Sequence, residues 1–439
     1  MKRPARWTLQ VASAVVVIAL AAVASVIYLN LRGEDDVADA RPGSVASLQP
    51  VPLAEQLEHG RYLAQVGNCA GCHSNTGGAA YAGGRALPTP FGTVYASNLT
   101  SDRSTGIGSW SPAHFWRAMH HGRAKDGRLL NPVFPYVSYT HVTREDSDAI
   151  YAYLRSLSPV AQPNRPHELR FPYNTQAALA VWRALYFRAA DPAVSARPDP
   201  TRTPEWNRGA YLARGLGHCV ECHSSRNSLG AISGSLELAG GAIPSQGWYA
   251  PSLAAPDEAG VGLWTRQNVV QLLKTGQAPG ASVIGPMAEV VYGSTQHWSD
   301  PDLQAVAEFL QELPPAPARK PLARFASDSA AFTQGGKIYE HDCAACHGPA
   351  GQGAPGAYPA LAGNRAVTMD ATTNLIHIVR NGGFAPATAG NPRPYGMPPF
   401  SHIRNDAEIA AVLTYIRQSW GNDASPVTEL QALQHTGSD

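Results

Sequence analysis

Six cysteines occur in this sequence, and each belongs to a C-x-x-C-H segment. They are Cys69, Cys72 and His73 in "CAGCH", Cys219, Cys222 and His223 in "CVECH", and Cys343, Cys346 and His347 in "CAACH". Two thiols two residues apart can add to the two vinyl groups of one porphyrin, and the adjacent histidine then lies under the iron as its proximal ligand. A structural zinc site needs two such pairs converging on one metal. A thioredoxin-like motif wants a βαβ setting. Three copies with matching flanks, using every cysteine, displace both readings, so three covalently bound haem c groups are expected. No cysteine is left for a disulfide.

A haem iron used for electron transfer commonly takes a methionine sulfur opposite the histidine. The chain has five methionines. Met287, in "VIGPMAEVVYGS", follows His223 by 64 residues, and Met397, in "PRPYGMPPFSHI", follows His347 by 50. Both are expected in irregular segments rather than on helix faces, where a methionine is ordinary core. They are the candidate sixth ligands. The first motif differs: 61 residues after His73 the chain has Phe134, in "NPVFPYVSY". Met119, in "HFWRAMHHG", aligns with Leu273 and Val379 and is expected to pack a helix. His120, His121 and His141 are possible nitrogen ligands whose default reading is a solvated or hydrogen-bonded histidine. The first haem is therefore expected to lack methionine, to be five-coordinate or capped by histidine or water, and to have a lowered reduction potential.

The elements that must position these groups repeat with them. "EHGRYLAQVGNCAGCHS", "NRGAYLARGLGHCVECHS" and "TQGGKIYEHDCAACHG" each place a glycine and apolar groups on a short helix running into the motif. Each repeat closes on a second helix with a capping-box-like start: Thr143 with Asp146, Ser299 with Asp302, Asn405 with Glu408. Leu303, Val306 and Leu310, and Ile409, Val412, Ile416 and Trp420, recur at helical spacing. No strand-rich pattern appears, so the fold expected is all-α: three tandem cytochrome c-type haem domains after an N-terminal transmembrane or signal segment. The boundaries are 1–33 for that segment, 50–162 for domain 1, 163–203 for a linker, 204–313 for domain 2, 328–421 for domain 3 and 422–439 for a tail. Within the linker "NTQAALAVWRALYF" is expected to form an extra helix packed against a haem domain. "GQGAPG", Gly351 to Gly356, matches G-x-G-x-x-G, but it follows a haem motif and contains Pro355, so it is read as a haem-domain loop and not a dinucleotide site.

Lys2, Arg3 and Arg6 precede an uncharged run from Trp7 to Leu31, and Glu34, Asp35 and Asp36 follow it. The run exceeds the ~20 apolar residues that span a bilayer. Its charges place the remainder outside the cytoplasmic membrane. Ala22-Val23-Ala24 offers a signal-peptidase alternative, but the apolar run continues past it, and a retained anchor is the preferred reading. Hydrophobic content of 44% and charged content of 15% mark a globular chain, and a net charge of +1 gives no basic excess for nucleic acid.

On "FGTVYASNLTSDRSTGIGSW", "GRAKDGRLL", "WNRGAYLARGLGHCVECHSSRNSLG", "GWYAPSLA", "GPMAEVVYGS" and "YGMPPFSHIRNDAEIAAVLTYIRQSWGN", the chain after residue 50 resembles a known family. These are the tri-haem cytochrome c subunits of membrane-bound periplasmic dehydrogenases, the alcohol and gluconate dehydrogenase group. The resemblance implies Met287 and Met397 as axial ligands of the second and third haems. The family's usual Pro-Ala-Met-Pro-Tyr is Pro132-Val133-Phe134-Pro135-Tyr136 here. Family members often dock to membranes through a C-terminal amphipathic helix; the tail here is short, so the N-terminal segment is expected to anchor. The implied function is electron transfer, without catalysis by this chain. A partner flavin, molybdenum or quinoprotein dehydrogenase subunit supplies the electrons, and ubiquinone or another respiratory acceptor takes them, on the periplasmic side of a bacterial cytoplasmic membrane. Two other readings compete: an open first haem reacting with peroxide or a gas, and a cytochrome subunit of a terminal oxidase.

Overall fold

Three glycines explain how the helices meet. In a computed structural model describing residues 3–32, 52–191, 197–233, 237–243, 245–316 and 329–434, each attachment motif is preceded by an entry helix that crosses a later closing helix. The entry helices are Leu53–Val66, Pro204–Tyr211 and Ala330–Ile338, and the closing helices are Arg144–Ser156, Asp300–Gln311 and Asp406–Gln418. At the crossings a Cβ on Gly60, Gly209 or Gly335 would overlap the carbonyl of Ala149, Ala305 or Ala411 respectively. The same Cβ would lie 2.8–3.0 Å from the Cβ of Tyr153, Phe309 or Tyr415, four residues further on. Only glycine lets the backbones approach that closely.

The chain divides into two compact units, residues 1–61 with 73–197 and residues 62–72 with 198–439. In the first, the closing helix buries Ala149, Ile150 and Leu154, and the Pro112–His121 helix buries Phe115 and Met119. Phe115 and Tyr151 pack ring to ring at 5.6 Å. Strands Ala86–Thr89, Gly92–Tyr95 and Glu168–Leu169 form a small antiparallel sheet. The expected extra helix is present as Gln176–Tyr186, N-capped by Thr175, and it packs along the N-terminal helix Arg3–Leu31 as well as on its own haem-motif unit. Gln10–Leu31 has a mean hydropathy of 2.5 and none of its most apolar stretch is buried, which fits a membrane anchor.

In the second unit, Leu303, Val306 and Leu310 face the core, as do Ile409, Val412 and Ile416. Trp420 stands beyond its helix in the left-handed region (φ 56°), against the Tyr339 and Tyr415 rings. Asn374 exchanges two hydrogen bonds with the Tyr249 backbone (2.8 and 2.7 Å), and Trp248 meets His377 at 4.5 Å. The segment 62–72 belongs to this unit. Tyr62 Oη donates to Asp302 (2.6 Å), which also takes both arms of Arg208 (2.8 Å each), and Ser294 donates to the Val66 carbonyl (2.8 Å). The tail returns to the closing helix through Val427, whose backbone pairs with Thr414 Oγ1 (3.0 and 3.2 Å).

The helix-rich reading holds, with the addition, among the described residues, of four sheets of two or three short strands. Of the three expected capping boxes, the reciprocal pair forms at Asn405 and Glu408. Thr143 and Ser299 cap their helices, but the carboxylates three residues on turn elsewhere: Asp146 to His59 and Asp302 to Arg208 and Tyr62. The Gly351–Gly356 stretch is a loop closed by an Ala354–Tyr358 bridge, with left-handed glycines at 351, 353 and 356.

Candidate functional site

The three attachment motifs lie on short helices, Cys69–His73, Val220–His223 and Ala344–His347. Two are fed by a π-helical turn, Leu212–Leu216 and Tyr339–Cys343, which shifts the register of the entry helix. The first two are preceded by left-handed residues, Asn68 (φ 48°) and His218 (φ 40°). In each motif the first cysteine is half-buried and the second exposed.

The histidines share one geometry. His73 Nδ1 donates to the Ser97 carbonyl at 2.7 Å, His223 Nδ1 to that of Pro251 at 2.7 Å, and His347 Nδ1 to that of Pro359 at 3.0 Å. A carbonyl can only accept, so the proton sits on Nδ1 and the lone pair on Nε2 in all three rings. That is the tautomer an iron-ligating imidazole needs, held by the outer hydrogen bond typical of ligating histidines. Burial lowers the pKa of all three, opposed by the Nδ1 bond, and favours the neutral ring. Burial likewise pushes the Cys69, Cys219 and Cys343 thiols up to about 12. Thiols raised in this way are not activated thiolates of a redox or nucleophilic site. Among the described residues no group of three or more His, Cys, Asp or Glu side chains could hold a metal ion. The donor set therefore fits covalent haem c, with two sulfurs for the porphyrin edge and one pre-oriented nitrogen for the iron.

The distal candidates are placed unevenly. Met397 lies in the two-residue strand Gly396–Met397, paired with Gly383–Phe384, and packs, as Cys343 and Ala344 do, against the core cluster that includes Tyr339. The backbone around it is irregular, as expected. Met287 is not in an irregular segment: it is the second residue of the helix Pro286–Gly293. Pro286 at the first helical position, with its fixed φ and no N–H to lose, starts a helix where the sequence reads as a break. Phe134 lies in a turn, its N–H bonded to the Asn131 carbonyl (3.0 Å) and its ring edge-on to Tyr139 at 5.4 Å. Met119 is buried on its helix, consistent with packing. His120 is buried, stacks on Trp116 at 4.4 Å and bonds through Nε2 to the Ala190 carbonyl (2.9 Å), so that nitrogen is committed to the protein. His121 meets the His120 ring edge-on, and His141 is exposed. Ser97, Pro251 and Pro359 carry no signal in the residues, because they act through backbone carbonyls.

Helix-rich units with thioether-capable cysteine pairs and pre-oriented histidines define a c-type cytochrome. The cytochrome c family model matches residues 57–158 and 332–420. The chain is 36% identical to the cytochrome c subunit of an alcohol dehydrogenase (quinone) of Gluconobacter oxydans, covering 87% of this chain and 82% of that one. It is 36% identical to the gluconate 2-dehydrogenase cytochrome c subunit of Pantoea cypripedii (84% and 86% covered), and 33% identical to the fructose dehydrogenase cytochrome subunit of Gluconobacter japonicus (87% and 83%). The chain belongs to the family of dehydrogenase cytochrome c subunits, whose work is electron transfer.

Proposed function

We propose that this chain carries electrons from a periplasmic dehydrogenase subunit to quinone through three covalently bound haem c groups, one in each of the domains 50–162, 204–313 and 328–421. The linker helix lies in 163–203 and the tail in 422–439. The N-terminal segment, 1–33, anchors the chain, and the haem domains stand on the periplasmic side of a bacterial cytoplasmic membrane. The observation that carries this reading is the threefold recurrence of a Nδ1–H···O=C bond that leaves Nε2 to a metal, each beside a cysteine pair.

When bound, haem supplies reversible one-electron chemistry at iron; the protein supplies binding, orientation and tuning. Cys69 and Cys72, Cys219 and Cys222, and Cys343 and Cys346 hold the porphyrins, and His73, His223 and His347 are the proximal ligands. Met287 and Met397 complete the second and third sites. Phe134 offers the first no donor, and an apolar ring there gives no acid–base group for peroxide chemistry, which favours the conduit over a peroxide-reactive site. Segment 62–72, which carries the first pair of thiols, is hydrogen-bonded to Asp302 and Ser294 of the second repeat through Tyr62 and Val66.

The test is gentle solubilisation of native membranes and capture of this chain. A stoichiometric dehydrogenase subunit, whose substrate reduces the haems, is expected. A cytochrome that comes alone and that no co-purifying activity reduces would overturn the proposal.

A further inference from the structure

We propose that the cavity beside the Gln176–Tyr186 helix binds the headgroup of a membrane quinone; this rests on the quinone-acceptor reading above. The cavity measures about 200 Å³ and is lined by Arg128, Leu129, Asn131, His167, Tyr173 and Leu179, among others. A quinone is a flat, uncharged ring with a carbonyl at each end, so its site needs donors at the rim and apolar walls for the faces. Arg128, Asn131 and His167 supply donors, and Leu129, Leu179 and Tyr173 supply walls. His167 Nδ1 accepts the Tyr95 N–H (3.2 Å), so in the neutral ring its proton is on Nε2. Arg128 is paired with Asp126 (3.2 Å), which offsets its charge and favours a neutral ring over an anionic lipid headgroup.

Two neighbours set the location. Where the apolar helix ends, the Asn30 carbonyl accepts from the Arg123 guanidinium. Arg123 also holds the Gly127 carbonyl (3.1 Å) and pairs through its backbone with Leu129, so the cavity wall stands where the chain leaves the apolar helix. Gln176 locks the linker helix to the same wall by both faces of its amide, accepting the Leu129 N–H (2.7 Å) and donating to the Leu129 carbonyl (3.1 Å). That helix packs along Arg3–Leu31, and Phe171 and Leu185, flanking it and on it, are 82% and 59% exposed. With Arg3–Leu31 as the anchor proposed above, a ligand dissolved in the bilayer lies close to this cavity. On the other side, Asn131 opens the turn that carries Phe134: its Oδ1 accepts the Val133 N–H (3.0 Å) and its carbonyl the Phe134 N–H. The cavity thus adjoins the loop that stands where the first haem's methionine is expected.

The experiment uses the full chain, haem-loaded, in lipid nanodiscs with a short-chain azido-ubiquinone photoprobe. Labelling is expected within residues 128–131 and 167–179, competed by unlabelled ubiquinone and not by phosphatidylglycerol. Leu179→Trp, which fills the cavity, and Asn174→Trp, at its exposed lip, should each cut labelling by about tenfold, the equivalent of one good contact. Reoxidation of the reduced haems by decylubiquinone should slow in parallel, while reoxidation by ferricyanide is unchanged. Labelling elsewhere, competition by lipid alone, or wild-type labelling in both variants would overturn the site and leave the acceptor reading standing. A wild-type chain that is neither labelled nor reoxidised by ubiquinone would overturn both.

Discussion

Replacing Gly335 by alanine probes the helix crossing on which the third repeat is built. The new Cβ would overlap the Ala411 carbonyl oxygen and lie 2.7 Å from its carbon and 2.9 Å from Tyr415 Cβ. The first two are backbone, so no rotamer relieves the clash. Restoring ordinary contact at about 3.5 Å requires the helices to part by roughly 1.4 Å. Tyr415 cannot simply yield, because its ring lies 5.1 Å from Phe332 and 5.6 Å from both Tyr339 and Trp420. Overpacking of this kind costs about 1–3 kcal/mol, here at the upper end, and helix propensity returns about 1 kcal/mol for Gly→Ala. The net loss of about 2 kcal/mol corresponds to a Tm lower by about 4–8 °C for a compact unit of the size that contains this repeat. Gly336→Ala is the milder comparison: its nearest contact is a side-chain atom on the edge of the Tyr415 ring at 3.1 Å, with no backbone within reach, so its Tm should fall by less than that of Gly335→Ala. The assay is thermal unfolding of the holoprotein followed by circular dichroism and haem absorbance. A Gly335→Ala protein melting at or above wild type would refute the crossing.

Low-temperature EPR of the oxidised protein should show two methionine-ligated low-spin haems and one of another type. Met287→Leu and Met397→Leu should each remove one methionine signal and lower one reduction potential, and three methionine signals in the wild type would contradict the reading of Phe134. Asp302→Ala strips the acceptor from Arg208 and Tyr62 and should cost about 2 kcal/mol in urea unfolding; a change within error would show the cluster to be dispensable. Asp102 is held at about 2, chiefly by the Thr105 N–H, the Thr105 hydroxyl and the Ser104 hydroxyl, against an ordinary 3.8. A depressed pKa contributes stability in full above the unfolded value and loses it as pH falls toward 2. Asp102→Asn should therefore flatten the decline in stability between about pH 4 and pH 2, read by tryptophan fluorescence; an unchanged acid limb would contradict this.

Much of this was legible in the residues, where side chains carry the information. The attachment motifs, the caps at Thr143, Ser299 and Asn405, and the linker helix all announce themselves through side-chain type and spacing. The glycines at 60, 209 and 335 were visible as a repeat, but their partners Ala149, Ala305 and Ala411 were not, since alanine on a helix signals nothing by itself. The carbonyls that orient the histidines were invisible for a related reason: any residue supplies one. Met287 reads as part of an irregular segment because proline and glycine precede it, yet proline at the first helical position begins a helix. The short strands escaped because two to four residues leave no periodicity to detect.

All three motifs are expected to carry haem. Mass spectrometry of the purified full-length chain under denaturing conditions, which retains only covalent groups, tests it most directly. The expected mass is the polypeptide plus three haems, and Cys343→Ser with Cys346→Ser should leave two. A wild-type chain carrying two haems or fewer would contradict it.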